Sequence, residues 1–395
     1  MQAHWYRKYK LALPINIMHF TISASYLYKN LTSLYGVIVN NPLLPILGNF
    51  LFEISNSKLK IVSSDLQTSI VIELPLDVKE EAAVAVPARM LLDTLKNLPE
   101  QPIDFSIDSN TYSVSIKSNT GKYNLAGENN ADFPAVPVMP AQKAISLPAE
   151  AFKKAIQQTI IAASHDDLKP AISGVYMCFS DTAFTFVATD IHRLIKYERT
   201  GISALETPSI ILPRKTLLLL TNLISGEDKE IKLMVHDGNA YFQIGHTQVI
   251  ARLVDEKYPD YENVIVYNNP NKLTINRREL LASLRRQLVY TNKVTYQVKF
   301  TLAEKHLYTL AEDLNFNSEA SETLSCEYEG QENLEIGFNA KSLIELLHNL
   351  EAEEVTFYFS HATQGNQVNK AVVIIPNQQE KDENILLLNM PITLN

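Results

Sequence analysis

Three segments of the chain carry the same pattern: VPARMLLDTLKNL at residues 86–98, LPRKTLLLLTNLI at 212–224 and FNAKSLIELLHNL at 338–350. Their basic residues Arg89, Lys215 and Lys341 stand in register, and both intervals between them are 126 residues. Each segment has Pro or Asn near its first turn and repeats its apolar residues at helical spacing, which predicts an amphipathic helix. The chain is therefore predicted to contain a large internal repeat.

Other landmarks recur at nearly the same interval. Asp65, Asp190 and Asp313 each follow a strand-like segment, at spacings of 125 and 123 residues. Because this period is longer than that of the small solenoid repeats, each unit is expected to be a domain of its own. Period-2 strands accompany the helices in every unit, which predicts the α+β class. With Pro-rich linkers between the units, we expect three similar domains, at 18–141, 142–268 and 269–395.

The composition is that of a folded, acidic protein, with 395 residues, 46% hydrophobic residues and a formal net charge of -9. Taken alone, this charge argues against nucleic-acid binding, because phosphates are neutralised by Lys and Arg. No apolar run is long enough to predict a membrane span, and Cys178 and Cys326 form neither a disulfide framework nor a metal motif. We therefore expect a cytoplasmic protein. Residues 1–17 are expected to form an unstructured extension or to precede the true translation start.

Sorting the charges by element changes the interpretation of the net charge. We expect six helices, at 23–38, 87–98, 148–164, 213–225, 276–292 and 339–350. They carry twelve basic residues against four acidic ones, a formal charge of +8, which leaves -17 on the rest of the chain. On helical wheels Arg89, Lys153 and Lys341 lie opposite the apolar face, whereas Arg278 and Arg285 lie at its border. Basic helices on an acidic protein suit contact with phosphates, although surface helices also carry Lys and Arg for solubility.

Short motifs in all three units point to one family. They are LPILGNF at 44–50, VPAR at 86–89, ADFP at 131–134, VATDIHRL at 187–194, LPRK at 212–215, YPDYENV at 258–264, IGFN at 336–339 and MPITL at 390–394. In this combination the chain, from about Met18 to its C-terminus, resembles the bacterial DNA polymerase III beta subunit, the family of sliding clamps. Ile191, Asn263 and Thr393 depart from the family's usual residues.

The resemblance implies a ring of two chains, joined head to tail, around duplex DNA. The three clamp domains of each chain would place their helices along the hole and their sheets outside, and the ring would slide without reading sequence. By this resemblance and the charge pattern, the DNA-facing residues would be Lys29, Arg89, Lys96, Lys153, Lys154, Lys169, Arg214, Lys215, Arg277, Arg278, Arg285, Arg286 and Lys341. Tyr123 and Leu125 of one chain would pack on Leu288 and Val289 of the other, unless these four are ordinary core residues of their own domains.

The resemblance also implies an apolar pocket, between the second and third domains, that takes a short peptide from client enzymes. Apolar walls and a flexible Met would hold Leu or Phe anchors, and a few polar groups would orient the peptide backbone. The pocket would comprise Ile172, Thr189, Ile191, His192, Arg193, Leu194, Pro259, Val264, Val294, Ala371, Leu388, Asn389, Met390, Pro391, Ile392 and Leu394. The implied partners are double-stranded DNA, a second copy of the chain, the clamp loader complex, the DNA polymerase III alpha subunit, and other clamp-binding polymerases and repair enzymes.

An enzyme remains the alternative from another functional class. His165, Asp166, Asp167 and His192 could hold a metal ion in a three-domain hydrolase or nuclease. Against this, neighbouring ligands without a distant fourth form a weak motif, and neither a Walker A sequence nor GxGxxG is present. We therefore expect a non-catalytic protein without metal, cofactor or membrane partner, acting near the nucleoid.

Overall fold

A computed structural model describes residues 17–202, 207–362, 368 and 370–394. This part of the chain contains six α-helices: α1 (Ala24–Leu34), α2 (Ala88–Lys96), α3 (Ala149–Thr159), α4 (Arg214–Leu223), α5 (Arg277–Gln287) and α6 (Ala340–His348). All six predicted helices are confirmed, and each is shorter than its predicted window. None of them is long and apolar enough to cross a membrane.

The same residues form 25 strands. The strands of the first repeat are β1 (Ile17–Ser23), β2 (Asn49–Ser55), β3 (Lys58–Ser64), β4 (Thr68–Pro75), β5 (Ala82–Pro87), β6 (Pro102–Asp108), β7 (Ser113–Lys117) and β8 (Lys122–Ala126). Those of the second are β9 (Ile145–Pro148), β10 (Gly174–Phe179), β11 (Ala183–Thr189), β12 (Arg193–Thr200), β13 (Thr207–Pro213), β14 (Glu230–His236), β15 (Asn239–Ile244) and β16 (Thr247–Arg252). Those of the third are β17 (Asn271–Asn276), β18 (Gln297–Ala303), β19 (His306–Asp313), β20 (Ser318–Ser325), β21 (Glu327–Glu329), β22 (Leu334–Asn339), β23 (Glu354–Phe359), β24 (Val372–Pro376) and β25 (Glu383–Asn389).

Strand β1 takes in Ile17, which was predicted to belong to the N-terminal extension, while residues 1–16 lie outside the described part.

The residues before the helices explain where the helices begin. Asn276 accepts hydrogen bonds from the backbone N–H groups of Arg278 and Glu279, and Asn339 accepts one from Ser342. The N-caps of α2, α3 and α4 are prolines, whose fixed φ suits the entry into a helix. These caps satisfy or remove N–H groups that have no partner inside the helix.

Two of the recurring aspartates form the same turn. Asp65 Oδ1 accepts from the N–H groups of Gln67 and Thr68, and Asp190 Oδ1 accepts from those of His192 and Arg193. The residue after each aspartate has a positive φ, 74° at Leu66 and 82° at Ile191. The repeat found in the sequence is therefore also a repeat of backbone conformation.

One compact unit holds the residues through Gln142 together with Asn239–Arg252. It contains an antiparallel sheet in the order β1-β6-β7-β8, with β8 at an edge, and a second sheet run in the order β5-β2-β3-β4-β16-β15. Strand β16 belongs to the second repeat by sequence, but it pairs with β4 from Thr247 opposite Ile72 to Ala251 opposite Thr68.

The other compact unit holds Lys143–Gly238 and Leu253–Asn395. Its nine-stranded sheet runs β13-β10-β11-β12-β25-β24-β23-β17-β21, and a four-stranded sheet runs β20-β19-β18-β22. Strands β12 and β25 pair over seven residues, from Arg193 opposite Asn389 to Arg199 opposite Glu383. Because sheets continue from one repeat into the next, the three domain boundaries stay predictions.

Candidate functional site

A groove of about 630 Å³ lies within the second unit. Its walls come from the turn after β11, the first turns of α6, the segment before β18 and the C-terminal tail. The lining residues are His165, Asp190, His192, Arg193, Val294, Thr295, Gln297, Asn339, Lys341, Ser342, Glu345, Asn389, Met390, Pro391, Ile392 and Thr393. Seven of the residues predicted for the peptide pocket are among them: His192, Arg193, Val294, Asn389, Met390, Pro391 and Ile392.

Two backbone contacts hold the tail against the groove. The N–H of Met390 donates to the carbonyl of His192 at 2.8 Å, and the N–H of Ile392 donates to that of Gly337 at 2.8 Å. A Cβ at position 337 would stand 2.5 Å from the Ile392 carbonyl oxygen, so this approach requires glycine. The tail is thus a fixed wall of the groove.

A buried arginine joins two other walls. The Arg193 side chain is 8% exposed, and its Nε lies 2.9 Å from Asp190 Oδ2 while its Nη1 contacts Glu345 of α6. One guanidinium therefore contacts both carboxylates, in a geometry that restricts all three side chains. Arg193 therefore links the turn to α6 rather than acting as an open binding group.

A second group of predicted pocket residues lies in an apolar cluster rather than in the groove. Ile172, Leu194, Ala371 and Leu388 pack there with Val187, Ile211, Tyr258, Ile265, Val373 and Leu386, and each is less than 9% exposed. Thr189 is also buried and donates its hydroxyl to the Arg193 carbonyl at 2.7 Å. Most of the predicted pocket residues thus lie either in the open groove or in the buried core.

Four predicted pocket residues line neither feature. Ile191 and Val264 are 59% and 49% exposed, Pro259 is exposed, and Leu394 is half-buried. The structure does not place them in the groove, so their part in a pocket stays a prediction.

The described residues do not assemble a metal site from His165, Asp166, Asp167 and His192. The two histidines line the groove, whereas Asp166 and Asp167 do not. Asp166 instead accepts from the N–H of Leu168 and lies 3.8 Å from Lys169. Within the described part of the chain, no group of three or more His, Cys, Asp or Glu residues is arranged to hold a metal ion.

Three cations predicted to face DNA are used inside the protein. Arg277 is 8% exposed and donates to the carbonyl of Leu347, in the last turn of α6, and to that of Ala352, in the segment after it. Arg214 donates to the Ile160 carbonyl after α3, and Lys153 donates to the Ile224 carbonyl after α4. Since helix ends carry unpaired carbonyls and partial negative charge, these side chains cap a neighbouring helix. We therefore leave all three out of the DNA-facing set.

Four more of the predicted cations contact carboxylates. Lys154 lies 2.9 Å from Glu380 and from Glu383, and hydrogen bonds from Arg199 and Lys154 lower the pKa of the Glu380 carboxyl to about 2. Arg286 makes a bidentate contact with the Glu322 carboxylate, through Nε and Nη2. Lys169 and Arg89 have looser pairs, at 3.8 Å and 3.9 Å, and stay largely exposed. Lys154 and Arg286 are thus less available to an external phosphate than the sequence suggested.

The remaining predicted cations are exposed on five helices. They are Lys29 on α1, Lys96 on α2, Lys215 on α4, Arg278 and Arg285 on α5, and Lys341 on α6. Lys341 also lines the groove, where its ammonium stands 5.8 Å from the centre of the Tyr296 ring. Its place beside the groove was not predicted.

The residues predicted to join two chains differ in exposure. Val289 is 70% exposed, and Leu288 and Tyr123 are half-buried. Leu125 is 4% exposed, so it already belongs to the core of its own sheet, which was the alternative considered for these residues. Strand β8, which carries Tyr123, is an edge strand, and so is β20 in the other unit.

Family models match almost the whole described chain. The N-terminal, central and C-terminal domains of the DNA polymerase III beta subunit match residues 18–137, 146–260 and 262–387. The chain belongs to the DNA polymerase III beta subunit family.

Relatives of this family span the chain almost completely. It is 26% identical over 378 residues to the beta sliding clamp of Vibrio cholerae, covering 95% of this chain and 100% of the relative. It is 27% identical over 355 residues to that of Escherichia coli K12, covering 90% of this chain and 96% of the relative. The crystal structure of DNA polymerase III subunit beta from Pseudomonas aeruginosa matches with a TM-score of 0.88 at 27% identity, covering 95% of this chain and 100% of that chain.

Membership in the beta subunit family establishes the class of protein. The chain has three clamp-like α+β domains, as predicted, and the family is one of non-catalytic processivity factors. The comparisons do not support the hydrolase alternative. The clamp fold is compatible with the predicted ring.

Sequence reasoning missed several groove residues. Thr295, Gln297, Asn339, Ser342, Glu345 and Thr393 were not among the predicted pocket residues. Asn339 and Ser342 lie in a motif that was assigned to a helix start. Their positions on a helical wheel do not show that the C-terminal tail, about 50 residues later in the chain, packs beside them. The sequence signal that could have indicated them is the polar first turn of a helix that is otherwise apolar.

Proposed function

We propose that two copies of this chain close head to tail into a ring around duplex DNA and act as the processivity factor of a replicative polymerase. The observation that carries the proposal is the charge distribution. Once the cations used inside the protein or paired with carboxylates are set aside, Lys29, Lys96, Lys215, Arg278, Arg285 and Lys341 are still exposed on five of the six helices, on a chain whose net charge is -9. A basic inner wall with loose phosphate contacts attracts DNA without reading sequence, and an acidic exterior avoids adhesion.

The groove supplies the second part of the proposal, which is the attachment of client enzymes. It combines a flexible Met, apolar side chains and a few polar groups, as peptide sites commonly do. One relative, from Pseudomonas aeruginosa, has been solved bound to griselimycin. The proposed clients are the DNA polymerase III alpha subunit, other clamp-binding polymerases and repair enzymes, and the proposed loader is the clamp loader complex. With these partners, the proposed location is the cytoplasm, at the nucleoid.

The experiment that tests the ring compares closed and open DNA. Labelled protein is placed on a nicked circle by the clamp loader complex with ATP, and its retention is measured by gel filtration before and after the circle is cut once. A ring held by topology should stay on the circle and leave the linear DNA quickly.

Blocking both ends of the linear DNA with a tightly bound protein is the matched control, and it should restore retention. Equal retention on circular and on unblocked linear DNA would contradict the ring, because contact affinity does not depend on DNA ends.

A further inference from the structure

Two of the groove residues carry polar atoms without a hydrogen-bond partner. Within the described part of the chain, four buried side-chain polar atoms lack partners, and two of these, Ser342 Oγ and Asn389 Nδ2, belong to residues that line the groove. Asn389 is 2% exposed and is held in place by its pairing with Arg193 and Val372. Leaving such an atom unpaired is costly, so the groove contains unused hydrogen-bonding capacity.

The positive end of a helix meets the groove at the same place. Asn339 is the N-cap of α6, Lys341 and Ser342 are in its first turn, and all three line the groove. The bridge between Gly337 and Ile392 brings the tail, and with it Asn389, alongside this turn. A helix N-terminus favours an anion because the helix dipole places partial positive charge there.

The charges of the groove leave one ammonium without a counterion. Asp190 and Glu345 are both engaged by Arg193. Lys341 has no carboxylate within ion-pair distance among the described residues, and it stacks over Tyr296 instead. The unengaged groups are thus an ammonium, an amide N–H and a hydroxyl, and all three can donate hydrogen bonds.

A set of donors calls for a ligand that only accepts, and a carboxylate is the acceptor-only group of peptides. We propose that Lys341, Ser342 and Asn389 form a carboxylate-binding subsite in the groove. This inference rests on the proposed function, because the ligand is an acidic group of the client peptide that the groove is proposed to hold. The carboxylate adds a charged anchor to the apolar ones and selects acidic peptides over neutral ones of the same shape.

The test uses matched synthetic peptides and the full-length protein without DNA. The parent is the capped peptide Ala-Leu-Ala-Leu-Phe, which carries only apolar anchors. Variants carry Asp or Asn at the first or third position, and one version of the parent ends in a free carboxylate instead of an amide. Affinities are measured by isothermal titration calorimetry at low salt.

We expect one acidic peptide to bind about tenfold tighter than its neutral counterpart, which corresponds to about 1.4 kcal/mol. An Asp peptide would identify a side-chain carboxylate as the ligand, and the free-acid parent would identify a C-terminal one. Lys341→Gln and Ser342→Ala should each reduce this preference to threefold or less, with smaller effects on the capped parent. Lys305→Gln removes an exposed lysine of the same domain outside the groove, and it should keep the full preference.

Two results would overturn the inference while leaving the peptide groove intact. One is equal affinity for every acidic peptide and its neutral counterpart, and the other is a preference that survives Lys341→Gln and Ser342→Ala. Deletion of Met390–Asn395 provides the separate test of the groove itself. If the parent peptide does not bind, or binds equally well after the deletion, the proposed peptide site fails and the carboxylate subsite fails with it.

Discussion

Ile191 holds a backbone conformation that β-branched residues rarely adopt. Its φ is 82°. The turn is fixed because Asp190 accepts hydrogen bonds from the N–H groups of His192 and Arg193, and the Thr189 hydroxyl accepts one from the N–H of Ile191. The side chain is 59% exposed, so it gains little from burial. The left-handed conformation costs an L-residue about 1–2 kcal/mol, which the surrounding turn has to offset.

We therefore expect Ile191→Gly to stabilise the protein. Glycine relieves the strain but adds about 0.5–1 kcal/mol of chain entropy to the unfolded state, so the net gain should be about 0.5–1 kcal/mol. The measurement is the midpoint of thermal unfolding, which should rise by about 1–2 °C.

Leu66→Gly is the matched control, because Leu66 has a φ of 74° in the same turn of the first repeat and is 48% exposed. It should give a similar gain. A lower midpoint for Ile191→Gly would show that the isoleucine makes contacts that outweigh the strain.

At the scale of elements, basic side chains fasten helices in pairs. Arg214 is the first residue of α4 and reaches the end of α3, while Arg277 is the first residue of α5 and reaches the end of α6. Lys153 of α3 makes the reciprocal contact with the carbonyl after α4. Burial lowers the pKa of Arg214 and of Arg277 from the ordinary arginine value, but both remain charged at neutral pH.

Substitutions of the adjacent residues Arg277 and Arg278 are expected to have different effects, the first on stability and the second on DNA binding. Arg277→Met leaves two carbonyls unpaired and should cost about 2–3 kcal/mol of unfolding free energy. Arg278 is exposed, so Arg278→Met should leave stability within about 0.5 kcal/mol. It should instead make the slope of log DNA affinity against log salt shallower by about one, because the variant neutralises one phosphate fewer.

Thermal unfolding and salt titrations of non-specific DNA binding, both on the folded variants, check this pair. A salt slope changed by Arg277→Met but not by Arg278→Met would reverse the assignment.

At the scale of the whole molecule, charge and sheet edges are the features that matter for assembly. Strands β8 and β20 lie at the edges of their sheets, and edge strands are sites that native proteins cover or protect. Val289, just after α5, is 70% exposed, and burying its apolar side chain against a partner would be favourable. Both features fit a chain whose edges are covered by a second copy.

We expect the wild-type protein to have a solution mass of twice 44.5 kDa, and Val289→Glu to shift it towards the monomer. A buried, unpaired carboxylate in the joint costs several kcal/mol, which is enough to separate the chains at micromolar concentration. Light scattering coupled to gel filtration measures the mass.

Leu168→Glu is the control, because Leu168 is 91% exposed in a loop outside the proposed joint. It should remain a dimer. A dimeric Val289→Glu variant of unchanged affinity would exclude Val289 from the joint.

The repeat, the six helices and the α+β class were predictable because each depends on local patterns. Period-2 alternation predicts a strand, and Pro or Asn before an apolar repeat predicts a helix start, from a few consecutive residues. The same short patterns recur at an interval of 126 residues, which reveals the repeat. The groove could be predicted in part, since the turn at 189–193 and the tail lie in recognisable motifs. Ser342 was not predicted at all, and Lys341 was predicted only to face DNA, because their place in the groove depends on the tail.

Local patterns therefore determine which segments fold as helices and strands, and that the helices are basic. The use of each cation depends on where a neighbouring helix ends. Arg277 and Arg278 are chemically identical and adjacent, yet Arg277 donates to carbonyls in and after the last turn of α6, whereas Arg278 is exposed. The pairing of β12 with β25 likewise joins residues almost 200 positions apart. Such long-range contacts arise from packing, which no local pattern records, so only the tertiary structure decides which polar groups are satisfied and which are left for a partner.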